Sequence, residues 1–254
     1  MPPEPGRVVA LGASNLTRGF QAVVATAREA WGPQVEVVAA LGHGRSYGAD
    51  SRLLGRRLPG ILESGVWRQL ESSPRVPTRG LVTDVGNDIL YGFPPRQVLA
   101  WVDDAVARLQ RVTEDIVLTD LPLASIRRLS RAKFLLFRSI LVPACRLSFE
   151  EVLERAEQVN AGLSALAAAR GVRLFPLQPA WYGFDPIHIV PGSWRLAWRQ
   201  ILGSPAVVDG KGGTRGEALR LYLMRPERRW LFGLEQVTPQ PGTLLPSGAR
   251  VWLF

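Results

Sequence analysis

The sequence predicts an α/β protein with a parallel sheet that carries helices on both faces. Five short apolar runs have the length and composition of buried strands, at residues 7–11, 35–41, 80–85, 115–121 and 172–177. Helix-like segments alternate with these runs, and that alternation is typical of a parallel sheet covered on two sides. With 254 residues, of which 46% are hydrophobic and 21% charged, the chain has ample material for a core.

The helical segments are identified by their apolar spacing and by their end signals. The first, residues 15–31, stops at Gly32-Pro33, and a second is expected over residues 50–63. Residues 96–112 repeat apolar side chains at a helical period. A long helix begins at Ser148, which with Glu151 fits a capping box, and ends at Gly171.

Charge and composition narrow the classes of function. The net charge is +9, and the arginines are scattered along the chain without the aromatic-flanked basic cluster of a nucleic-acid binder. We therefore expect no nucleic-acid partner. One cysteine, Cys145, excludes an internal disulfide, and two histidines, His43 and His188, are too few for a histidine-rich metal cluster. The sequence thus predicts neither a cysteine metal site nor a histidine-rich one.

The expected location is cytoplasmic. The first residues, "MPPEPGR", lack the charged-then-apolar pattern of a signal peptide, and no apolar run is long enough to span a bilayer.

Four loops that follow predicted strands carry chemically notable residues. In a parallel sheet, ligands bind at the carboxyl ends of the strands, so these loops are expected to meet. They hold Gly12-Ala13-Ser14, then Gly42-His43-Gly44, then Gly86-Asn87-Asp88, and finally Asp185 and His188.

These residues match the requirements of acyl transfer. Ser14 supplies a hydroxyl nucleophile, His188 a base, and Asp185 a carboxylate that orients the base. The backbone N–H groups of Ser14 and Gly44 and the side-chain amide of Asn87 are candidate donors to an oxyanion. Taken singly, each residue has an ordinary structural explanation: Ser14, for example, is a favoured type of helix cap.

The four motifs, in this order, resemble those of the SGNH hydrolases, the GDSL esterase and lipase superfamily. The resemblance covers roughly residues 7–202. It implies a flavodoxin-like three-layer α/β/α sandwich with a five-stranded parallel sheet, and hydrolysis through an acyl-Ser14 intermediate without a cofactor. It assigns Ser14, Asp185 and His188 to catalysis and Ser14, Gly44 and Asn87 to the oxyanion hole.

The sequence departs from the family pattern at two positions beside these motifs. Ala13 stands where the family usually has Asp, and Arg45 follows the oxyanion glycine, where Asp is frequent. An arginine at the mouth of a pocket would favour an anionic substrate; the alternative is a surface packing role. His43, next to Gly44, is a further candidate for substrate contact and a rival base without an acidic neighbour in the sequence.

Two segments lie outside the family pattern. Residues 126–147 contain an apolar stretch for which a buried helix is the favoured interpretation, with a lid or acyl-pocket wall as the alternative. Residues 204–254 are predicted to extend the main domain of residues 1–203. They begin with a flexible link, "VVDGKGGTRG", and continue with "RRWLFGLEQV" and "ARVWLF", interpreted as strands of a hairpin packed on the main domain. Trp230, Phe232, Trp252 and Phe254 are expected to pack on that domain, with a dimer contact or the binding of a partner as the alternatives.

The resulting hypothesis is a serine esterase acting on an acetyl or short-chain acyl ester of a small molecule or a glycan. A thioesterase or carbohydrate O-acetylesterase shares the same chemistry. A binding protein without catalytic activity is the alternative from another functional class.

Overall fold

The computed structural model describes residues 6–142, 145–204 and 214–254, and its centre is a seven-stranded sheet. The strands of this sheet, in spatial order, are β10 (Thr243–Leu244), β11 (Arg250–Leu253), β2 (Glu36–Ala40), β1 (Arg7–Leu11), β5 (Thr78–Val82), β6 (Ile116–Thr119) and β7 (Arg173–Phe175). Every neighbouring pair is parallel except β10 with β11.

The predicted parallel sheet is confirmed, but it has seven strands instead of five. The additional strands come from the C-terminal segment, in which β11 runs parallel to β2 and β10 folds back against β11. Val251, Trp252 and Leu253 are buried in this position. The expected hairpin between "RRWLFGLEQV" and "ARVWLF" is therefore wrong, because the second segment belongs to the main sheet.

Helices cover both faces of the sheet. They are α1 (Ser14–Arg18), α2 (Phe20–Trp31), α3 (Val66–Ser72), α4 (Asn87–Leu90), α5 (Pro95–Gln110), α6 (Leu123–Ile126), α7 (Arg131–Leu141), α8 (Phe149–Arg170), α9 (Trp194–Leu202) and α10 (Arg215–Leu223). One core lies under α3, α5 and α8, and the other under α2 and α9. Alternate residues of β1 enter opposite cores: Val9 and Leu11 enter the first, Val8 and Ala10 the second.

A second, smaller sheet stands where the sequence predicted a helix. Residues 50–63 form a hairpin of β3 (Ser51–Leu53) and β4 (Arg56–Leu58) followed by a 3₁₀ turn, so the helix prediction is wrong there. "RRWLFGLEQV" is itself a hairpin of β8 (Arg228–Leu231) and β9 (Leu234–Val237). The order β3-β4-β8-β9 makes one antiparallel sheet.

The remaining differences are local. The helix predicted over residues 15–31 is two helices divided at Gly19, where a Cβ would lie 2.1 Å from the Trp198 indole nitrogen. In the predicted link, residues 207–213 lie outside the described residues, and Thr214 opens α10 as an N-cap with Glu217. Among the described residues, no helix has the length and apolar character needed to cross a bilayer.

Candidate active site

Ser14, His188 and Asp185 form a continuous chain of hydrogen bonds at the carboxyl end of the sheet. Ser14 is the first residue of α1, directly after the turn that ends β1. Its Oγ lies 2.9 Å from Nε2 of His188, and Nδ1 of His188 lies 2.6 Å from Oδ2 of Asp185. Because a carboxylate accepts, Nδ1 carries the ring proton and Nε2 is left to accept from the serine hydroxyl.

Asp185 is held as a carboxylate. Burial by itself would raise its pKa, but the hydrogen bond from His188, the Ile187 N–H and the charge of Arg18 together hold the pKa of Asp185 below its usual range. The Arg18 guanidinium is 3.8 Å from the Asp185 carboxylate, and both side chains are partly exposed. His188 is buried, so the carboxylate orients a ring that is screened from water.

The Ser14 side chain does not cap a helix. The N-cap position of α1 is Ala13, and that helix start has no side-chain cap. Asp84 takes this role from the end of β5. Its Oδ2 accepts from the N–H groups of Ala13 at 2.9 Å and Leu16 at 3.1 Å. The Ser14 hydroxyl is thereby left free for His188, which argues against the helix-cap interpretation.

Asn15 ties the Ser14 turn to the loop that carries His188. Its Nδ2 donates to Oδ1 of Asp84 at 2.8 Å and to the carbonyl of Ile187 at 2.9 Å. Its Oδ1 accepts from the N–H of Ile189 at 2.8 Å. The backbone on both sides of His188 is therefore fixed by one side chain next to Ser14.

The two further oxyanion candidates also stand at strand ends. Gly44 has φ +66, a conformation that favours glycine, and its carbonyl accepts from the Tyr91 hydroxyl. Asn87 opens α4 and donates from Nδ2 to the carbonyl of Arg45 at 3.4 Å. Ser14, as the first residue of α1, has an N–H without an intrahelical acceptor.

Asp88 and Tyr47 hold these loops together. Asp88 is fully buried and accepts from the Tyr47 N–H at 3.0 Å, and burial raises the pKa of Asp88 to about 6 despite hydrogen bonds from Ser46 and Tyr47. The Tyr47 hydroxyl bridges main-chain groups of Leu11 and Thr83, at the ends of β1 and β5. One buried pair thus connects three strand ends.

The two residues predicted to contact substrate are His43 and Arg45, and their surroundings differ. His43 is half-buried, and burial, with the charges of Arg56, Arg18 and His188, lowers its pKa to about 4. His43 is therefore uncharged at neutral pH and a weak base.

The expectation of Arg45 at a pocket mouth or on the surface is wrong. Arg45 is completely buried, and its guanidinium donates to the carbonyls of Leu41 and Pro59 at 3.1 Å each and to the Phe254 main-chain oxygen. It is directed to the C-terminal strand because that strand lies beside β2.

An apolar pocket of about 120 Å³ opens beside Ser14 and Asn87. Its wall is formed by side chains from the segment after β6, which includes α6, and from α7 and α8, among them Leu121, Ile126, Leu129, Phe134, Val152 and Ala156. Asp120 also lines it, and burial raises the pKa of this carboxyl to about 6.

The predicted burial of the segment that contains α7 is wrong in part. Phe134 is buried against the pocket, whereas Leu135 and Leu136 are about half exposed. α7 is therefore a surface helix that contributes to the wall of the pocket beside Ser14.

Sequence reasoning missed Asp84, Asn15 and Tyr47. Asp84 had one available signal, an acidic residue directly after a buried strand at the same edge as Ser14. Among the residues that the structure describes, no three His, Cys, Asp or Glu side chains meet to hold a metal ion.

Comparisons with known proteins give structural matches alone. No family model matches the chain, and no curated protein does. A member of the lipolytic protein G-D-S-L family from Veillonella parvula is 14% identical, with a TM-score of 0.47 over 80% of this chain and 100% of that one. A structure of TesA is 16% identical, with a TM-score of 0.47 over 78% and 97%. The psychrotrophic esterase EstA from Pseudoalteromonas sp. is 11% identical, with a TM-score of 0.45 over 78% and 95%.

Proposed function

We propose that this chain is a hydrolase of the SGNH type and cleaves acyl esters through a covalent acyl-Ser14 intermediate. The observation that carries the proposal is the hydrogen-bonded series from Ser14 Oγ through His188 to Asp185, with heavy-atom distances of 2.9 and 2.6 Å. Both distances lie within the range of a nucleophile joined to its base and of a base joined to its orienting carboxylate.

The first half of the reaction acylates the enzyme. Ser14 Oγ attacks the ester carbonyl while Nε2 of His188 removes the hydroxyl proton, and Asp185 stabilises the imidazolium that results. His188 then returns that proton to the departing alkoxide oxygen, so an alcohol leaves. In the second half, water attacks the acyl-serine, His188 accepts the water proton, and the proton passes back to Ser14 Oγ as the carboxylic acid departs.

Negative charge on the tetrahedral oxygen is stabilised by the N–H groups of Ser14 and Gly44 and by the Asn87 amide. Three features support these roles: the helix-start N–H of Ser14, which has no acceptor within α1, the positive φ of Gly44 and the position of Asn87 in the wall of the pocket beside Ser14. The Asp88–Tyr47 contact supports this assignment because it fixes the loops that carry two of the three donors.

The pocket supports an acyl group with a hydrocarbon chain in addition to acetyl. Its apolar wall and its volume of about 120 Å³ accommodate methylene groups next to Ser14. Burying each methylene contributes roughly 0.8 kcal/mol. We therefore expect kcat/KM to rise from an acetyl ester to esters of somewhat longer chains.

Narrowing the pocket tests this chain-length prediction. Ala156 is buried on α8 in the pocket wall, and Ala156→Leu adds volume there. We expect kcat/KM for the octanoyl p-nitrophenyl ester to fall about tenfold, from lost burial of one to two methylenes, with the acetyl ester little changed. Equal changes for both esters would place the acyl chain elsewhere.

The central experiment measures hydrolysis of p-nitrophenyl acetate, butyrate and octanoate by the wild type and by Ser14→Ala. We expect Ser14→Ala to lower kcat by about 10⁴-fold or more, as is usual for loss of the nucleophile. Fluorophosphonate labelling of the wild type, with the labelled peptide mapped to Ser14, is a second measurement.

Ser148→Ala is the matched control. Ser148 is a helix-cap serine whose Oγ accepts from the Glu151 N–H at 3.1 Å. We expect that variant to lose about 1 kcal/mol of unfolding free energy and to keep its activity. A folded wild type that neither hydrolyses the esters nor reacts with the probe would overturn the proposal and favour a binding protein.

A further inference from the structure

Two hairpin tips of the smaller sheet carry large apolar side chains into solvent, and we call this pair, Leu54 and Phe232, the tip patch. Leu54 is 90% exposed in the turn between β3 and β4, and Phe232 is 85% exposed in the turn between β8 and β9. The tips adjoin, because the Phe232 N–H donates to the Gly55 carbonyl at 2.8 Å and the Phe232 ring lies over Gly55.

Both apolar residues occupy strained backbone positions. Leu54 has φ +47 and is followed by Gly55 at +76, and Phe232 has φ +49 and is followed by Gly233 at +85. Two-residue hairpins of this kind favour Asn, Asp or Gly at the first position. A bulky residue there is unfavourable for folding, and at such exposure its side chain gains little from packing in return. The same unfavourable choice at two adjoining tips indicates a selected surface.

The sheet face next to the tip patch is rich in arginine. By strand alternation this face carries Arg52, Arg57 and Arg228 beside Glu235, whereas Arg56 and Arg229 lie on the other face. Arg52 and Arg57 are directly opposed on β3 and β4, a like-charge pairing that destabilises a sheet. Arg57 in turn opposes Trp230, with its guanidinium 3.7 Å from the ring centroid. Arg57 is paired with Asp50 at 3.2 Å and Arg228 with Glu235, so among the described residues of this face the exposed Arg52 is left to attract an anionic partner.

The hairpin that carries Leu54 also adjoins the candidate active site, through the opposite face of the sheet. Arg56, on the same hairpin as Leu54, donates to the carbonyl of His43 at 2.8 Å. His43 immediately precedes Gly44, so a partner bound at the tips lies next to the loop that carries an oxyanion donor.

We propose that the tip patch and its arginine face dock the protein onto an anionic lipid surface. Leu54 and Phe232 enter the apolar boundary of the bilayer, Trp230 lies at headgroup level, and the exposed guanidinium of Arg52 pairs with a lipid phosphate. Exposed apolar tips together with arginine and tryptophan match this chemistry better than a purely polar polyanion. The proposal concerns binding and is independent of the esterase proposal.

The test is co-sedimentation with large vesicles of phosphatidylcholine alone or mixed with phosphatidylglycerol, using the full chain in the Ser14→Ala background so that no lipid is hydrolysed. We expect binding to the mixed vesicles, weakened by salt, and weak binding to phosphatidylcholine. Leu54→Asn with Phe232→Asn should weaken binding at least about tenfold, and Arg52→Gln about fivefold. Because Asn suits the turn, the double tip variant should melt no lower than the parent protein.

Tyr222→Asn is the matched control, since Tyr222 is as exposed as Phe232 but lies on α10. We expect it to bind vesicles like the parent. Absence of binding to mixed vesicles, or a double tip variant that binds like the parent, would overturn the proposal. So would a parent dimer that the tip substitutions dissociate, or tip-dependent binding of an oligonucleotide without binding of vesicles.

Discussion

Asp84→Asn tests how the candidate site is held, because Asp84 supports the Ser14 turn without entering the reaction. Asp84 has φ +60, a conformation that Asn also tolerates well, so the substitution leaves the backbone unstrained. What changes is the set of acceptors. The carboxylate accepts from the N–H groups of Ala13 and Leu16 through one oxygen and from Asn15 Nδ2 through the other.

An amide at position 84 has one acceptor oxygen in place of two. If that oxygen stays on the helix start, the new NH₂ group faces Asn15 Nδ2, donor against donor. Rotation of the Asn15 amide would relieve this conflict, but it would break the bonds to Ile187 and Ile189 on either side of His188. Loss of one hydrogen bond to a charged group amounts to about 2 kcal/mol of unfolding free energy. The displaced His188 should lower kcat about 10- to 100-fold.

The assay pairs urea unfolding, followed by tryptophan fluorescence, with kcat for the best p-nitrophenyl ester. Asp104→Asn is the matched control, since Asp104 is a partly exposed carboxylate paired with Arg108 within α5. We expect that control to change stability by less than about 0.5 kcal/mol. An Asp84→Asn variant with wild-type stability and wild-type kcat would refute the reasoning.

Three further predictions follow from residues around the site. Arg45→Ala should lower the unfolding free energy by about 3 kcal/mol, because buried carbonyls lose their donor, and should leave the ratio of kcat/KM for anionic and neutral esters unchanged. Gly44→Ala should lower kcat about tenfold, since φ is +66 there and a Cβ would lie 2.9 Å from the Tyr91 hydroxyl. Gly216→Ala, at an exposed position where a Cβ makes ordinary contact 3.8 Å from Thr214 Oγ1, should leave kcat unchanged. Burial raises the pKa of Asp88 to about 6, so the folded state binds that proton more tightly than the unfolded chain does. The unfolding free energy of the wild type should therefore fall as pH rises from 3.8 to about 6. Asp88→Asn should show a smaller fall in unfolding titrations.

The core of the fold is predictable from the sequence because a buried parallel strand is marked by its own residues. Runs such as "RVVAL" and "EVVAA" are apolar throughout, and the structure buries all five residues of the first and four of the second. The hairpin at residues 51–58 carries no comparable signal. Its turn is Leu54-Gly55 instead of an Asn-Gly or Asp-Gly pair, and its strands hold arginines that suit a helix equally well.

The C-terminal strand could not be placed for a different reason. "RVWL" is recognisable as a strand, but its position depends on an available edge of the main sheet beside β2. The sequence of residues 250–253 does not indicate that the edge of the main sheet at β2 is free. Because the position of this strand was not predicted, the expectation for Arg45 was also wrong: its acceptor, the main-chain oxygen of Phe254, directly follows that strand.

The residues of the candidate site also form two groups, those that the sequence marks and those that only the fold brings into place. Ser14, Asn87, Asp185 and His188 stand out in the sequence because the proposed chemistry demands particular side chains at particular strand ends. Asp84 and Arg45 bind mainly backbone groups. The most distant of these groups is 71 residues away in the sequence for Asp84 and 209 residues away for Arg45. Every residue except proline offers both an N–H and a carbonyl, so no partner side chain marks such an anchor in the sequence. The reacting groups can therefore be proposed from the sequence, whereas the groups that fix their geometry emerge from the folded chain.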